Sequence, residues 1–170
     1  MYIIIILFLI GIIFFTVKNI NAQVHVENKA YDAMLSTLLK HNVPEMSVEE
    51  LKKDSTAIRL DARAKKEYDV SHLENAIWVG YDDFDISRIS AVNKNEEVIV
   101  YCSVGYRSEK ITQKLIDAGY TNVSNLYGGI FEWVNQKNTV VDSNNQPTQR
   151  IHAYSKTWGV WLSRGEKVYD

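Results

Sequence analysis

The apolar positions of this chain alternate between helical spacing and short uninterrupted runs. The helical spacing predicts four helices, at residues 30–40, 47–53, 108–118 and 130–135. The short runs predict extended segments at residues 43–46, 57–60, 77–79, 97–101 and 122–126. Ser47 and Glu50 form a capping-box pattern at the start of the second helix, and Gly119 stands where a helix commonly ends. Strands that alternate with helices predict an α/β fold with a parallel sheet covered on both faces.

The last part of the chain has a different character. Residues 136–149 are mostly polar, which predicts a surface loop. The tail that follows carries four large apolar residues, which we expect to cover apolar surface on the main domain: Tyr154, Trp158, Val160 and Trp161. Trp158 and Trp161 also stand where they could narrow a substrate entrance. The sequence shows no internal repeat and no second domain.

The first 15 residues form an uncharged apolar run, and the only charged residue among positions 1–22 is Lys18. The run is typical of a signal peptide, with cleavage predicted after Ala22. The alternative is an uncleaved anchor formed by residues 1–17, which is slightly short of the roughly 20 residues that span a bilayer. Both interpretations predict an exported protein, either periplasmic or secreted, or else held at the membrane by its leader.

Composition and charge limit the function further. The 170 residues are 46% hydrophobic and 24% charged, which favours one globular domain. We therefore divide the chain into a leader at 1–22, a domain at 23–135, and a loop and tail at 136–170. Lys and Arg number 19 against 21 Asp and Glu, without a basic cluster, so we expect no nucleic-acid partner. One cysteine and four scattered histidines predict no metal site, and nothing in the sequence implies another cofactor.

The single cysteine, Cys102, follows a predicted buried strand and precedes a predicted helix. A loop in this position can direct consecutive backbone N–H groups inward, and the positive end of the helix dipole strengthens the resulting anion site. Such surroundings favour the thiolate, which is the reactive form of cysteine. Arg107, which four residues separate from Cys102, can hold the loop or meet an oxyanion. A free cysteine is more commonly a buried small hydrophobic residue, but the position after a strand, Gly105 and the Arg107-Ser108 helix entry favour a reactive Cys102.

Several motifs resemble those of the rhodanese family, in the order and spacing that the family shows. They are Leu60-Asp61-Ala62-Arg63, Glu67-Tyr68, the segment from Ser71 to Ile77, the Cys102 loop, Ala118-Gly119-Tyr120, and the segment from Leu126 to Trp133. The resemblance implies a rhodanese-like fold with a five-stranded parallel sheet and helices on both faces. It also implies transfer of a sulfur atom through a cysteine persulfide.

The resemblance assigns roles to individual positions. Cys102 matches the sulfur-accepting cysteine, and the residues of the loop that surrounds the transferred sulfur are Ser103, Val104, Gly105, Tyr106, Arg107 and Ser108. Asp61 and Arg63 match a pair near the active site that we assign mainly to structure. His72 matches a turn histidine, for which we also favour a structural role. The turn after it contains Glu74-Asn75 where Pro-Gly is common in the family, so this turn is built differently.

The leading hypothesis is a sulfurtransferase that uses thiosulfate, a persulfide or a polysulfide as donor and a thiol or cyanide as acceptor. A sulfur-accepting protein is a further candidate partner. Ser103, Val104 and Tyr106 are uncharged where thiosulfate-using members often carry cations, so the donor stays open. Two alternatives remain: a non-catalytic binding module, and a cysteine-dependent phosphatase or arsenate reductase. The phosphatase is disfavoured because four residues separate Cys102 from Arg107, where a tetrahedral oxyanion typically needs five.

Overall fold

The structure is a computed structural model, and it describes residues 24–170. The signal peptide or anchor predicted over residues 1–22 lies outside the described residues. Within residues 24–170, no helix is long and apolar enough to cross a bilayer.

The described chain contains five α-helices, two short 3₁₀ helices and nine short strands. The helices are α1 (Lys29–Leu38), α2 (Val48–Lys53), α3 (Lys65–Val70), α4 (Tyr106–Asp117) and α5 (Gly129–Asn135). The 3₁₀ helices span Ile86–Ile89 and Trp158–Trp161. The strands are β1 (Glu45–Met46), β2 (Ile58–Asp61), β3 (Ile77–Trp78), β4 (Val98–Tyr101), β5 (Val123–Leu126), β6 (Val140–Val141), β7 (Pro147–Thr148), β8 (Arg150–His152) and β9 (Glu166–Val168).

The main sheet has five parallel strands in the order β1-β5-β4-β2-β3. Strand β4 is central, and its register places Tyr101 beside Asp61 at the carboxyl end of β2. All four of its residues are buried, as expected for a strand covered on both faces. Ligand sites of open parallel sheets commonly lie beyond the carboxyl ends of the strands. Residues that follow β4 therefore stand at the edge where a site is expected.

Two apolar clusters occupy the two faces of this sheet. On one face Val98 and Val100 pack with Ile111 and Leu115 of α4. On the other face Ile99 and Tyr101 pack with side chains from α1, α2 and α5 and from the C-terminal tail. The alternation along β4 thus sends successive side chains into different clusters, as the pleat of a strand requires. The predicted α/β fold with a five-stranded parallel sheet and helices on both faces is confirmed.

The predicted elements of the domain agree with the structure to within about two residues at each end. The Ser47 capping box is present: the Glu50 N–H donates to Ser47 Oγ, and Glu50 Oε2 accepts from the Ser47 N–H. The loop predicted over residues 136–149 contains two strands, β6 and β7, which pair antiparallel. Val140 and Val141 are buried, so this short ribbon is tied to the core despite its polar composition.

The apolar tail residues behave differently from one another. Trp161 stacks on Tyr31 of α1, with ring centroids 5.4 Å apart, as the prediction of a packed tail requires. Val160 is 64% exposed and Tyr154 is 50% exposed, so the prediction that these two residues cover apolar surface is wrong. Val160 lies in the 3₁₀ helix Trp158–Trp161 between the two tryptophans, which leaves it facing solvent. The rest of the tail is held by β8 and β9, which pair parallel to each other.

Candidate active site

Strand β4 ends at Tyr101 and α4 begins at Tyr106, so Cys102 starts a tight loop between them. Gly105 closes this loop with a φ of +116°, a backbone conformation that side chains with a Cβ rarely adopt. The first N–H groups of α4 have no acceptor within their own helix. The loop therefore gathers free N–H donors and the positive end of a 12-residue helix around Cys102.

Helix α5 holds the loop from beneath through backbone hydrogen bonds. The Ile130 N–H donates to the Cys102 carbonyl at 2.9 Å, and the Phe131 N–H donates to the Ser103 carbonyl at 3.1 Å. Gly129 permits this approach: a Cβ at its position would lie 2.4 Å from the Cys102 carbonyl oxygen. The Gly128-Gly129 turn is therefore part of the support for the cysteine loop.

A buried asparagine on β5 fixes the far end of the loop. Asn125 is fully buried, and its Oδ1 accepts a hydrogen bond from the Ser108 hydroxyl at 2.7 Å. Its Nδ2 donates to the Gly105 carbonyl at 3.2 Å. Both ends of one amide are thus satisfied by the loop, which positions the Gly105 N–H relative to the cysteine.

The Cys102 side chain is 1% exposed, and its Sγ accepts a hydrogen bond from the Gly105 N–H at 3.2 Å. Burial alone would raise the pKa of this thiol. The charge on Arg107 and hydrogen bonds from Ser108 and Gly105 outweigh burial, and the pKa of Cys102 lies below its ordinary value. The site therefore favours the thiolate, in contrast to an inert buried cysteine.

Arg107 is bound to a carboxylate from another helix. Its Nη1 donates to Glu67 Oε2 at 2.6 Å, and its Nη2 donates to Glu67 Oε1 at 2.8 Å and to Ser103 Oγ at 3.0 Å. Burial tends to raise the pKa of Glu67, but the hydrogen bonds and charge of Arg107 lower it. The bidentate pair joins α3 to α4 across the mouth of the cysteine loop.

Above Cys102 lies an open cleft of about 690 Å³. The domain contributes Ala64, Lys66, Glu67, Tyr81, Asp82, Cys102, Ser103, Val104, Tyr106 and Arg107, and the tail contributes His152, Tyr154, Trp158 and Asp170. The Arg107 guanidinium carbon lies 5.0 Å from the centre of the Tyr154 ring. The Asp170 carboxylate accepts from His152 Nε2 at 3.0 Å and also pairs with Lys66. The C-terminal segment is thus one wall of the cleft.

The structure brings together the predicted cysteine and most of the predicted loop. Cys102, Ser103, Val104, Tyr106 and Arg107 line the cleft, whereas Gly105 and Ser108 act from within the loop. Asp61, Arg63 and His72 do not line it. Their roles in function stay predictions.

Asp61 and Arg63 form a fully buried ion pair beside the sheet. Arg63 Nη2 donates to Asp61 Oδ2 at 2.6 Å and to the Ser71 carbonyl at 2.6 Å. His72 Nδ1 bonds to the Tyr68 carbonyl at 2.9 Å, and its ring stacks on that of Tyr68 at 3.8 Å. These contacts link the end of β2 to the turn after α3, as expected for residues with structural roles.

Sequence reasoning missed several residues of the site. In the sequence Glu67 stands out only as part of a motif, and a glutamate at this position of a helix is typical of a helix cap. Glu67 does form such a cap, because its Oε2 accepts a hydrogen bond from the Ala64 N–H at 3.0 Å. Asn125 gave no signal, because a buried amide in a strand is recognised only by its partners. The tail residues His152, Tyr154 and Asp170 were not predicted to reach the site. Among residues 24–170, no group of three or more His, Cys, Asp or Glu side chains is arranged to hold a metal ion.

Comparison with known proteins places this geometry in a family. Residues 47–136 match the family described as Rhodanese-like domain. A curated relative, the tRNA uridine(34) hydroxylase of Hamiltonella defensa, is 38% identical over 92 residues, which are 51% of this chain and 26% of that protein. The enzyme of the same name from Photorhabdus laumondii is 35% identical over 79 residues, 44% of this chain and 22% of that protein. The chain therefore spans only about a quarter of the length of these relatives.

Two solved structures share the fold. The rhodanese-like domain of the Anabaena Alr3790 protein superimposes with a TM-score of 0.54 at 22% identity, covering 58% of this chain and 79% of that chain. Thiosulfate sulfurtransferase from Pseudomonas aeruginosa has a TM-score of 0.54 at 24% identity, covering 78% of this chain and 26% of that chain. At these identities the likeness concerns the fold alone. Because the family match covers 90 of the 170 residues, from 47 to 136, the chain belongs to the rhodanese-like domain family.

Proposed function

We propose that the protein is a sulfurtransferase that carries sulfur as a persulfide on Cys102. One observation carries the proposal. The Cys102 Sγ lies inside a loop at the amino end of α4 and accepts a hydrogen bond from the Gly105 N–H, and the pKa of Cys102 is lowered. A thiolate in a ring of N–H donors is equipped to attack sulfur and to stabilise the anionic sulfur that it then carries.

The reaction would proceed by two displacements. In the first, the Cys102 thiolate attacks the terminal sulfur of a donor R–S⁻, a new S–S bond forms, and R departs with the electron pair of the broken bond. In the second, a thiolate or cyanide attacks the outer sulfur, and the Cys102 thiolate leaves. Neither step needs an external oxidant, because the sulfane sulfur is transferred without a net change in the oxidation state of the enzyme. The backbone N–H donors of the loop stabilise the negative charge on sulfur in both steps.

The size of the loop argues against a phosphatase or arsenate reductase. Four residues separate Cys102 from Arg107, and the guanidinium is bound at both of its terminal nitrogens by Glu67 and Ser103. An oxyanion would have to compete with a buried carboxylate for that cation. A single transferred sulfur needs only the inward N–H groups of the loop.

The charges of the cleft do not favour the activity for which the tRNA uridine(34) hydroxylases are named. The shared region is only the domain, and RNA binding relies on excess positive charge. The cleft above Cys102 has two cations, Lys66 and Arg107, and three carboxylates, Glu67, Asp82 and Asp170. A small donor and a thiol acceptor fit this cleft better than a nucleic acid.

Intact mass spectrometry tests the proposal directly, because Cys102 is the only cysteine. The reduced protein is incubated with a sulfane-sulfur donor, washed and weighed beside Cys102→Ser. We expect a gain of about 32 Da on the wild type alone, removed by cyanide with formation of thiocyanate. Glu74→Gln, an exposed change outside the cleft, should load like the wild type. A folded wild-type protein whose thiol alkylates but which gains no sulfur from any donor would contradict the proposal and favour the binding module.

A further inference from the structure

Four of the fourteen residues that line the cleft lie outside the region that matches the family. His152, Tyr154, Trp158 and Asp170 all lie beyond residue 136, where the match ends. The tail that carries them is fixed to the domain at a point away from the cleft. Besides the Trp161 stack on Tyr31, Asn135 Nδ2 donates to the Trp161 carbonyl at 2.8 Å. Substrate access to Cys102 is therefore shaped by this chain's own tail.

The charges that face the cleft are compensated or negative. Arg107 is paired with Glu67, and Lys66 is paired with Asp170. Asp82 lines the cleft and forms no ion pair within residues 24–170. A dianion that enters this cleft would therefore meet no unpaired cation and one uncompensated carboxylate. Because like charges repel at short range, such a mouth disfavours a doubly charged donor.

The remaining surface of the mouth is aromatic. Tyr81, Tyr106, Tyr154 and Trp158 line it, with Tyr106 39% exposed and Tyr154 50% exposed. The Tyr154 ring lies over the Arg107 guanidinium and so covers one face of the cation. Exposed rings around a reactive centre offer area for stacking and for burial of apolar groups. Their arrangement suits a donor with a flat apolar carrier.

We propose that the tail makes the cleft selective for an organic sulfur donor, one whose sulfane sulfur is borne by an aromatic carrier of low charge, over inorganic thiosulfate. The inference rests on the proposed function and specifies its donor. Trp158 and Tyr154 supply the contact surface for the carrier. Asp170 forms an ion pair with Lys66 and, together with Asp82, keeps the mouth of the cleft from attracting a dianion.

Benzenethiosulfonate and thiosulfate form a matched pair of probes. They share the sulfonyl sulfur and the terminal sulfane sulfur, but a phenyl ring replaces one charged oxygen, so the charge changes from −2 to −1. In either case the Cys102 thiolate attacks the terminal sulfur and the S–S bond of the donor breaks. Benzenesulfinate leaves with the electron pair in one case and sulfite in the other. Cyanide then removes the sulfur as thiocyanate and regenerates the thiolate.

The experiment measures kcat/KM for both donors with cyanide as acceptor, on the full chain. We expect the wild type to prefer benzenethiosulfonate by about tenfold or more, since one charge and one aromatic contact both act in its favour. Asp82→Asn and Asp170→Asn should each raise kcat/KM for thiosulfate by about three- to tenfold, with a smaller rise for the monoanion. Trp158→Leu should lower kcat/KM for benzenethiosulfonate by about three- to tenfold and leave thiosulfate nearly unchanged.

Two controls lie in the same tail but outside the cleft. Glu166→Gln removes an exposed tail carboxylate, and Val160→Ala changes an exposed residue in the same 3₁₀ turn as Trp158. Both should leave the ratio of the two kcat/KM values unchanged. Asp82 is not part of the tail, so its variant tests the charge argument even if Asp170→Asn loosens the C-terminal segment.

The outcomes separate this inference from the function on which it rests. If no sulfane-sulfur donor loads Cys102, the sulfurtransferase proposal fails, whereas loading by a persulfide or polysulfide but by neither of these two donors overturns only the inference about the tail. If both donors load it but thiosulfate is preferred, or if the Asp82, Asp170 and Trp158 variants leave the ratio at the wild-type value, only the inference about the tail is overturned. A preference for benzenethiosulfonate that falls in these three variants and persists in both controls supports it.

Discussion

The Arg107 guanidinium donates two hydrogen bonds to the Glu67 carboxylate, from Nη1 to Oε2 at 2.6 Å and from Nη2 to Oε1 at 2.8 Å. The two residues lie 40 positions apart, on α4 and α3. The pair holds the cysteine loop against the neighbouring helix and also sets how much of the positive charge acts on Cys102. Glu67 lies 36 positions from Ser103 and 40 positions from Arg107 in the sequence, yet its carboxylate accepts hydrogen bonds from both side chains.

Removal of the Glu67 charge should lower the pKa of Cys102 further. In Glu67→Gln the guanidinium keeps its charge but loses its counterion, so it stabilises the thiolate more strongly. Arg107→Gln should have the opposite effect and raise the pKa. The pH dependence of the rate of alkylation by iodoacetamide measures the pKa of Cys102 in each protein. We expect the midpoint pH to rise in the order Glu67→Gln, wild type, Arg107→Gln. Glu74→Gln is the charge control and should match the wild type; identical midpoints in all four proteins would refute the role of the pair.

The same pair predicts how stability depends on pH. The pKa of Glu67 is lower in the folded protein than its ordinary value of about 4.3. Its contribution to the free energy of unfolding is therefore fully present above that ordinary value. It is lost as the pH falls through the lowered folded pKa.

Urea unfolding between pH 7 and pH 3 measures this contribution as the difference between the wild type and Glu67→Gln. We expect this difference in the free energy of unfolding to be largest at neutral pH and to shrink in the acid range. The other carboxylates titrate alike in both proteins, so their contributions cancel in the difference. Glu74→Gln should show a pH profile parallel to that of the wild type. A gap between wild type and Glu67→Gln that stays constant down to pH 3 would show that ionisation of Glu67 contributes nothing.

Local sequence patterns predict the Cys102 loop at the centre of the site, whereas the residues around it are positioned by contacts between distant segments. The strand that ends at Tyr101, the helix that begins near Tyr106 and the glycine between them are all properties of one short segment. Their signals of apolar run, turn and helix entry therefore appear together in the sequence. By contrast, the pairing of Glu67 with Arg107 depends on how α3 packs beside α4, which no local pattern specifies.

The tail shows why the walls of the cleft could not be predicted. Tyr154 adopts a φ of +64°, which is uncommon for a residue other than glycine. Its N–H donates to His152 Nδ1 at 3.1 Å, and His152 belongs to β8, which pairs with β9. Strands of three residues with polar neighbours carry little periodic signal. The sequence predicted that tail aromatics would pack, but the placement of Tyr154 over Arg107 depends on tertiary structure.

Asn125 should be important for the stability of the loop. Asn125→Ala removes two buried hydrogen bonds, one from the Ser108 hydroxyl and one to the Gly105 carbonyl, and leaves only the bond between Ser108 and Gly105, at a cost of about 1–3 kcal/mol. A loop held less firmly should also slow the loading of sulfur onto Cys102, by about tenfold or more. Urea unfolding and the rate of persulfide formation measure the two effects. Ser124→Ala, at the neighbouring position of β5, is the matched control, and an equal loss in both variants would show that the amide has no special role.

Gly129 supports the cysteine loop by close approach, and its substitution should move the loop. At a φ of +56°, a Cβ on residue 129 would lie 2.4 Å from the Cys102 carbonyl oxygen and 2.7 Å from the Ser103 carbonyl group. Gly119 is a matched control, because its φ is +92° but the nearest atom to its Cβ would be Lys94 Nζ at 3.5 Å. Both substitutions to alanine incur the cost of a left-handed backbone, about 1 kcal/mol.

Only Gly129→Ala also forces a clash with backbone, which should add about 2 kcal/mol to the loss of stability because the loop is packed on both sides. Because the Ile130 N–H bonds to the displaced Cys102 carbonyl, Gly129→Ala should also slow persulfide loading. Gly119→Ala should load at the wild-type rate. Urea unfolding and intact mass over time distinguish the two variants. Equal stability and equal loading in both would mean that the loop tolerates a Cβ beneath it, and that α5 does not fix the position of Cys102.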